Sequence, residues 1–492
     1  MKLVDLLEVL SDKEIQGLPE SVEISGIVYD PLRVLPGCVF VAIEVYTQLD
    51  KIEIPDGHDV VDDAIKRGAA VVVIERDVPV SDNVVKVLVP NSRYALALMA
   101  NKFYDYPSHD IQMIGVTGTN GKTTTTHIVE SIFMQKYRTG LIGTLYYKIN
   151  GTIYQSKDTT PEPPDLQDIF TRMKQQDVDY CTMEVSSHGI EFFRVQGVQY
   201  NVAVFTNLTQ DHLDFHKTID SYRNAKLKLF RWLDQTGHAV INTDDPSAHY
   251  FRDATKAHVI TYGIEHPADI MAKDIDIHIK GMTFTLVTPA GEIHVEPRLI
   301  GTFNIYNILA AVGVAISQGI DLPTIKHGLE HPIRVAGRFE LVDQGQPFSV
   351  VVDYAHTPDG IINVLKLARA LNPQRVISLF GCGGDRDKEK RPIMGKAVSE
   401  YSDIFIITSD NSRNEDPAEI AAQIKTGVTH SNFEEISDRR EAIARSFEIA
   451  QPGDIVMLLG KGHETSQTLK KQTIHFNDVE VANELLAEYL KK

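Results

Sequence analysis

Apolar residues are not scattered evenly along this chain. Short β-branched runs, bounded by glycine, proline or small polar residues, alternate with longer stretches whose apolar residues recur three and four apart. Runs at 113–117, 180–185, 202–206 and 239–243 predict strands, and runs at 349–352, 376–380, 404–408 and 455–459 predict four more. Helical spacing separates them, over 127–133 (Ile128, Val129, Ile132) and 303–317 among others. Alternation of this kind implies an α/β protein with largely parallel sheets covered on both faces. It occurs twice, and the later set predicts a separate doubly wound, Rossmann-like unit. The chain before residue 105 predicts a smaller α/β unit, with helices over 60–67 and 94–104 and a strand over 69–74. Residues 269–297 differ, and read as short antiparallel strands with a turn at Pro289-Ala290-Gly291. Pro107 and Ser108 suggest a linker, and Pro332 and Gly337 a second boundary. Three domains follow: 1–107, 108–332 and 333–492. No internal repeat or low-complexity segment interrupts them.

Composition fits that division, since 492 residues hold roughly three domains of about 150 residues each. A net charge of −18 argues against a nucleic-acid or membrane surface as partner, both of which require a positive field. Three distant cysteines, Cys38, Cys181 and Cys382, fit buried small hydrophobes in a reducing cytosol. The amino terminus, MKLVDLLEVL, lacks a signal-peptide profile, and the longest apolar run, 308–316, is too short to span a bilayer. A soluble, cytoplasmic, monomeric protein is expected.

Candidate chemistry clusters just after the predicted strands, where open α/β sheets bind ligands. Residues 112–126, QMIGVTGTNGKTTTT, run from strand through a glycine turn into helix, the order of a phosphate-cradling loop. In such a loop the backbone of Gly118, Thr119, Asn120 and Gly121 approaches the phosphates, Lys122 reaches the outer ones, and Thr123 offers its hydroxyl to Mg²⁺. The general pattern would put its first glycine at Val116, whereas the glycines here are Gly115 and Gly118. Glu184, in Glu184-Val185-Ser186-Ser187-His188-Gly189, is a carboxylate at a strand end placed to hold Mg²⁺, although the same residues also read as a helix cap. Asp211, His212, Asp214 and His216 suggest a second metal or phosphate site, or else a solvated loop. Lys226 lies on an amphipathic helix, where a solvated face is the ordinary reading. Asn304 and Asn307 share a helix face near its start, and Arg338 could reach a transferring phosphoryl group or form a structural ion pair. Three late loops, Gly381–Lys388 in Gly-Cys-Gly-Gly-Asp-Arg-Asp-Lys, Asp410-Asn411-Ser412-Arg413 and Gly460-Lys461-Gly462-His463-Glu464, suit a zwitterion. Arginines would take its carboxylate and Glu464 its ammonium.

Together with Thr159-Thr160-Pro161, Gly337-Arg338 and Asp353-Tyr354-Ala355-His356, these residues resemble the Mur ligase family. Within it they are similar to the MurE type, which adds the third amino acid to a peptidoglycan precursor. The family's own phosphate loop is Gly-Thr-Asn-Gly-Lys-Thr, which accounts for the displaced glycine. The resemblance implies a UDP-binding domain, a central ATPase domain and a carboxy-terminal amino-acid domain. It implies ATP-dependent amide formation through an acyl phosphate, with ATP and Mg²⁺ as cofactors and UDP-N-acetylmuramoyl dipeptide and meso-diaminopimelate as substrates. Lys122, Thr123, Glu184 and His212 would handle ATP and Mg²⁺, while Asn304, Arg338 and Asp353 would contact the nucleotide. Thr159, Thr160, Ser186 and Arg194 would hold the dipeptide. Lys226 matches the lysine that becomes carbamylated and supports Mg²⁺. Arg386, Asp410, Asn411, Ser412, Arg413, Gly460 and Glu464 match the diaminopimelate positions, with Ser412 standing where the family has proline. Arg413 favours diaminopimelate over lysine, because it would meet the distal carboxylate that lysine lacks. In the first domain Asp30-Pro31-Leu32-Arg33 replaces Asp-Ser-Arg, Glu44-Val45-Tyr46 replaces Lys-Gly-Tyr, and residues 48–55 are longer than usual. Those departures leave a different acceptor open. A nucleotide-switched binding protein is a further reading, against which the three late loops speak.

Overall fold

The computed structural model describes residues 1–44, 56–278, 281–331, 335–470 and 472–491. The longer segment at 48–55 and the boundary at Pro332 fall outside the described residues. Among those described, strands form sheets of five, eleven, six and two strands.

The eleven-stranded sheet carries the phosphate loop. Its strand Gln112–Thr117 lies between Tyr180–Glu184 and Val202–Phe205, parallel to both. Chain connections diverge to the two sides of this strand, so its carboxyl end opens at the switch point of the sheet. Every residue of Val202–Phe205 is buried, as expected of a parallel strand covered on both faces. Helix Lys122–Phe133 covers one face and packs on Thr302–Ser317, whose apolar run makes it buried nearly all round. No helix among the described residues is long and apolar enough to cross a membrane. Residues 269–297 do form antiparallel strands: Ile270–His278, Gly281–Thr288 and Gly291–Val295.

The six-stranded sheet contains Ser349–Asp353, Ile455–Leu459, Val376–Phe380 and Ile404–Ile407 as parallel neighbours. Their carboxyl ends present the three late loops. The five-stranded sheet near the amino terminus pairs Val71–Ile74 with Cys38–Val41 and Val85–Leu88.

Pro107 and Ser108 do not act as an open linker. Both are buried in a 3₁₀ turn, Pro107–Asp110, and the Gln199 N–H points at Ser108 Oγ from 3.4 Å. The amino-terminal unit is further fixed by ion pairs. Arg33 reaches Asp165 at 2.6 Å, and the Tyr29 hydroxyl donates to the same carboxylate at 2.8 Å. Arg93 pairs with Glu162 at 3.2 Å, and Arg194 reaches the same Glu162 oxygen at 2.9 Å. All three side chains are buried. Removing a central carboxylate leaves buried cations uncompensated. Glu162→Ala should therefore lower stability by about 3–5 kcal/mol, read as a fall in Tm by calorimetry; an unchanged Tm would show that the triad is dispensable.

Candidate active site

The loop Gly118–Lys122 is fastened to the neighbouring strand's continuation. Thr119 N–H donates to Asn207 O at 2.8 Å, Asn120 N–H to Asn207 Oδ1 at 2.9 Å, and Thr206 Oγ1 to Asn120 O at 2.6 Å. Gly118 has φ +154, and a Cβ there would fall 1.8 Å from Thr206 Oγ1, so no other residue fits. Lys122 folds back over the loop, donating to Gly118 O at 3.0 Å and Thr119 O at 2.8 Å. Burial lowers its pKa, with Glu184 and Asp211 opposing.

Glu184 is buried at its strand end and accepts from Thr123 Oγ1 at 3.0 Å. Lys226 departs from the solvated reading. It sits on the inward stripe of helix Ile219–Arg231, four residues after Tyr222 and three before Leu229, both buried. Its Nζ donates to Gly118 O at 2.8 Å and lies 4.2 Å from the Tyr222 ring centre. Burial, then the Lys122 ammonium, hold its pKa well below the ordinary value.

The run Asp211–His216 splits. Asp211, His212 and Asp214 face a cavity of about 360 Å³, whereas His216 turns inward to Ser187 Oγ at 2.9 Å. No group of three His, Cys, Asp or Glu with metal-holding geometry exists among the described residues, so the run does not form a four-ligand metal cluster. Burial pushes His212 down to about 4, outweighing Asp211. His188, 4.6 Å from His212 ring to ring, is pushed by burial and then by His212 to about 2.

A second cavity, of about 560 Å³, lies on the other side of the loop between the two large sheets. Asn120, Asn307, Tyr306, Arg338 and Asp353 line it. Arg338 packs 4.9 Å from the Tyr354 ring, and its buried Nε has no hydrogen-bond partner among the described residues, which suits it to an anion. Asp353 accepts from the Phe339 and Ala355 N–H groups, each at 2.7 Å. Burial raises its pKa, against Arg338. Asn304 is not part of the lining. It lies one layer back, accepting from Asn307 Nδ2 at 3.0 Å and donating to Ile300 O at 2.9 Å.

Thr159, Thr160, Ser186 and Arg194 line the 360 Å³ cavity together with Lys122 and Glu184. Thr160 Oγ1 donates to Glu184 O at 2.9 Å, and Arg194 Nη1 to Thr160 O at 3.0 Å. Arg386, Asp410, Asn411, Arg413, Gly460 and Glu464 close the same cavity from the six-stranded sheet. Arg413 Nη1 donates to Gly384 O at 2.7 Å, and Arg386 has its pKa lowered by burial and then by Arg413 beside it. Ser412 does not reach this lining; it is buried behind it, and its hydroxyl has no partner among the described residues. Glu464 is already matched, accepting from Asn411 Nδ2 at 2.7 Å and from the buried Lys461 Nζ at 2.9 Å. Lys461 has a local signal, three residues before Glu464 in the same loop. Thr144, which also lines the cavity, has none, because nothing near it in sequence marks it.

A phosphate-loop sheet facing a second α/β sheet across a charged cleft suits an ATP-dependent ligase, and comparison with known proteins supplies the class. Residues 116–315 match the Mur ligase middle domain, and residues 337–462 match the Mur ligase glutamate ligase domain. The chain is 44% identical over 499 residues to the UDP-N-acetylmuramoyl-L-alanyl-D-glutamate–2,6-diaminopimelate ligase of Bacillus velezensis, covering 100% of both. It is 45% identical over 475 residues to the enzyme of the same name from Geobacillus thermodenitrificans, covering 95% of each. A solved structure of a ligase with that name superposes with TM-score 0.68 at 33% identity, over 99% of both chains. The chain belongs to the Mur ligase family.

Behind the loop, His127 offers a test. Its Nδ1 lies 2.7 Å from Thr123 O and its Nε2 2.9 Å from the Tyr146 hydroxyl. A carbonyl only accepts, so Nδ1 carries the proton and Nε2 accepts from Tyr146. Burial lowers the His127 pKa from 6.5 to about 4. Between those values the unfolded chain binds a proton that the folded one excludes, so stability falls as pH falls. His127 should contribute about 1.4 kcal/mol per pH unit across that window. Urea unfolding at several pH values should give His127→Gln a flatter acid limb than wild type; parallel limbs would contradict the shift.

Proposed function

We propose that the chain joins meso-diaminopimelate to UDP-N-acetylmuramoyl-L-alanyl-D-glutamate with hydrolysis of ATP, in the cytoplasmic synthesis of peptidoglycan precursor. One observation carries this reading: Lys122 of the phosphate loop, Thr160 and Arg194, and Arg386, Arg413 and Glu464 all line one cavity of about 360 Å³. Three reactants can therefore meet without leaving the cleft.

In this reading the nucleotide occupies the 560 Å³ cavity, with Gly118, Thr119, Asn120, Gly121 and Lys122 cradling its phosphates and Arg338 and Asp353 beside it. Asn304 acts through Asn307. The acceptor, held by Thr159, Thr160, Ser186 and Arg194, attacks the γ-phosphorus through its glutamyl carboxylate. The γ-phosphoryl group moves to that oxygen, ADP leaves, and an acyl phosphate forms. The diaminopimelate amine then attacks the acyl carbon, expels phosphate and loses a proton. As in other phosphoryl transfers, the protein contributes position and charge.

The residues fit Mg²⁺: a buried carboxylate, Glu184, lies against the Thr123 hydroxyl, with His212 uncharged at neutral pH nearby. Bound there, Mg²⁺ would neutralise charge on the transferring group. Thr123, Glu184, His212 and Lys226 would hold it. Because burial lowers the Lys226 pKa and so favours its amine form, that amine can add CO₂, releasing a proton and becoming an anionic carbamate.

Arg386 and Arg413, with Asp410, Asn411, Gly460 and Glu464, would take the amino acid. Ser412 shapes this loop from behind. Two neighbouring arginines suit diaminopimelate, whose second carboxylate lysine lacks. The test is product mass after incubation with ATP, Mg²⁺, the UDP-muramoyl dipeptide and either amino acid. Diaminopimelate product is expected; preference for lysine would overturn the assignment. Arg413→Ala should lose about 10- to 100-fold in kcat/KM for diaminopimelate, the value of one charge-assisted contact, with ATP binding retained. Unchanged kinetics would remove Arg413 from the site.

A further inference from the structure

The geometry points to Thr144 as a positioning residue that aims Glu184 at the metal and couples that aim to acceptor binding. Thr144 follows strand Thr139–Ile142, in a loop closed by Gly143 N–H to Tyr146 O at 3.1 Å. Its backbone N–H donates to Glu184 Oε1 at 2.9 Å and its hydroxyl to Glu184 Oε2 at 3.2 Å. Thr123 reaches only Oε2. Among the described residues Thr144 alone therefore holds both carboxylate oxygens, which fixes the plane of the group. The approach is close: a Cβ on Gly143 would fall 2.4 Å from Glu184 Oε1.

The same hydroxyl lies 2.9 Å from Thr159 Oγ1. A carboxylate only accepts, so the Thr144 hydroxyl hydrogen is directed to Glu184, and Thr159 must donate to Thr144. The result is a directed chain, Thr159 to Thr144 to Glu184, running from the acceptor threonines to the metal carboxylate. Tyr146, two residues on, is tied to His127 on the helix that follows the phosphate loop. The Thr144 loop thus touches the nucleotide, metal and acceptor parts of the site at once.

This inference rests on the reading of Glu184 as a metal ligand, and the test separates the two. ADP binding is measured by calorimetry with and without MgCl₂ for wild type, Thr144→Val, Thr144→Ser and Glu184→Gln. Thr144→Val keeps the shape and the backbone N–H but removes the hydroxyl. It should weaken the Mg²⁺-dependent part of ADP binding about 10- to 100-fold, the usual effect of losing a group that orients a metal ligand. Its kcat should fall while KM for diaminopimelate stays unchanged, and Thr144→Ser should restore both. If Thr144→Val binds ADP and Mg²⁺ like wild type while Glu184→Gln does not, Thr144 has no positioning role. Failure of Thr144→Ser to rescue would also overturn it, by making the effect one of packing. If Glu184→Gln itself keeps full Mg²⁺ dependence, the underlying metal assignment falls.

Discussion

The carbonyl oxygen of Gly118 accepts hydrogen bonds from two lysines, Lys122 at 3.0 Å and Lys226 at 2.8 Å. Two ammonium groups cannot comfortably share a buried acceptor, and burial together with their mutual repulsion drives the Lys226 pKa well down. Much of the proposed chemistry rests on that crowding. It favours the amine form of Lys226 beside the phosphate loop, while Glu184 and Asp211 oppose the lowering of the Lys122 pKa.

The three parts of the chain converge on this point through a few polar contacts. From the amino-terminal side, Arg93 meets Glu162, which meets Arg194, which holds the Thr160 carbonyl. From the carboxy-terminal side, Asn120 in the phosphate loop donates to Asp359 at 3.0 Å. Arg338 lines both the 560 Å³ and the 360 Å³ cavities and stands between them. Sheets supply rigidity, whereas the loops at their carboxyl ends supply the chemistry, as is general for open α/β folds.

Much of this was legible in the sequence, for physical reasons. Parallel strands buried on both faces read as unbroken apolar runs, so Val202–Phe205 and Ile455–Leu459 stand out. Hairpin strand Thr152–Gln155 does not, because it is largely exposed and lacks alternation. Helix Pro163–Gln175 begins on two prolines that read as a break, although proline suits a first turn. The charge of Lys226 by itself suggests solvent, yet its spacing from Tyr222 and Leu229 places it on the buried stripe. Ser412, Asn304 and Glu464 show the opposite limit. Sequence brings them to the right loop or helix, but only packing decides that Ser412 and Asn304 stand behind the site and that Lys461 already neutralises Glu464.

The central claim is that the acceptor carboxylate is phosphorylated in the cleft before the amine attacks. It is tested most directly with acceptor labelled with ¹⁸O in the glutamyl carboxylate, followed by mass analysis of the phosphate released. Transfer through an acyl phosphate leaves one labelled oxygen bridging carbon and phosphorus, and that oxygen departs with phosphate, so labelled phosphate should appear in step with amide product. Unlabelled phosphate alongside amide formation would contradict the account.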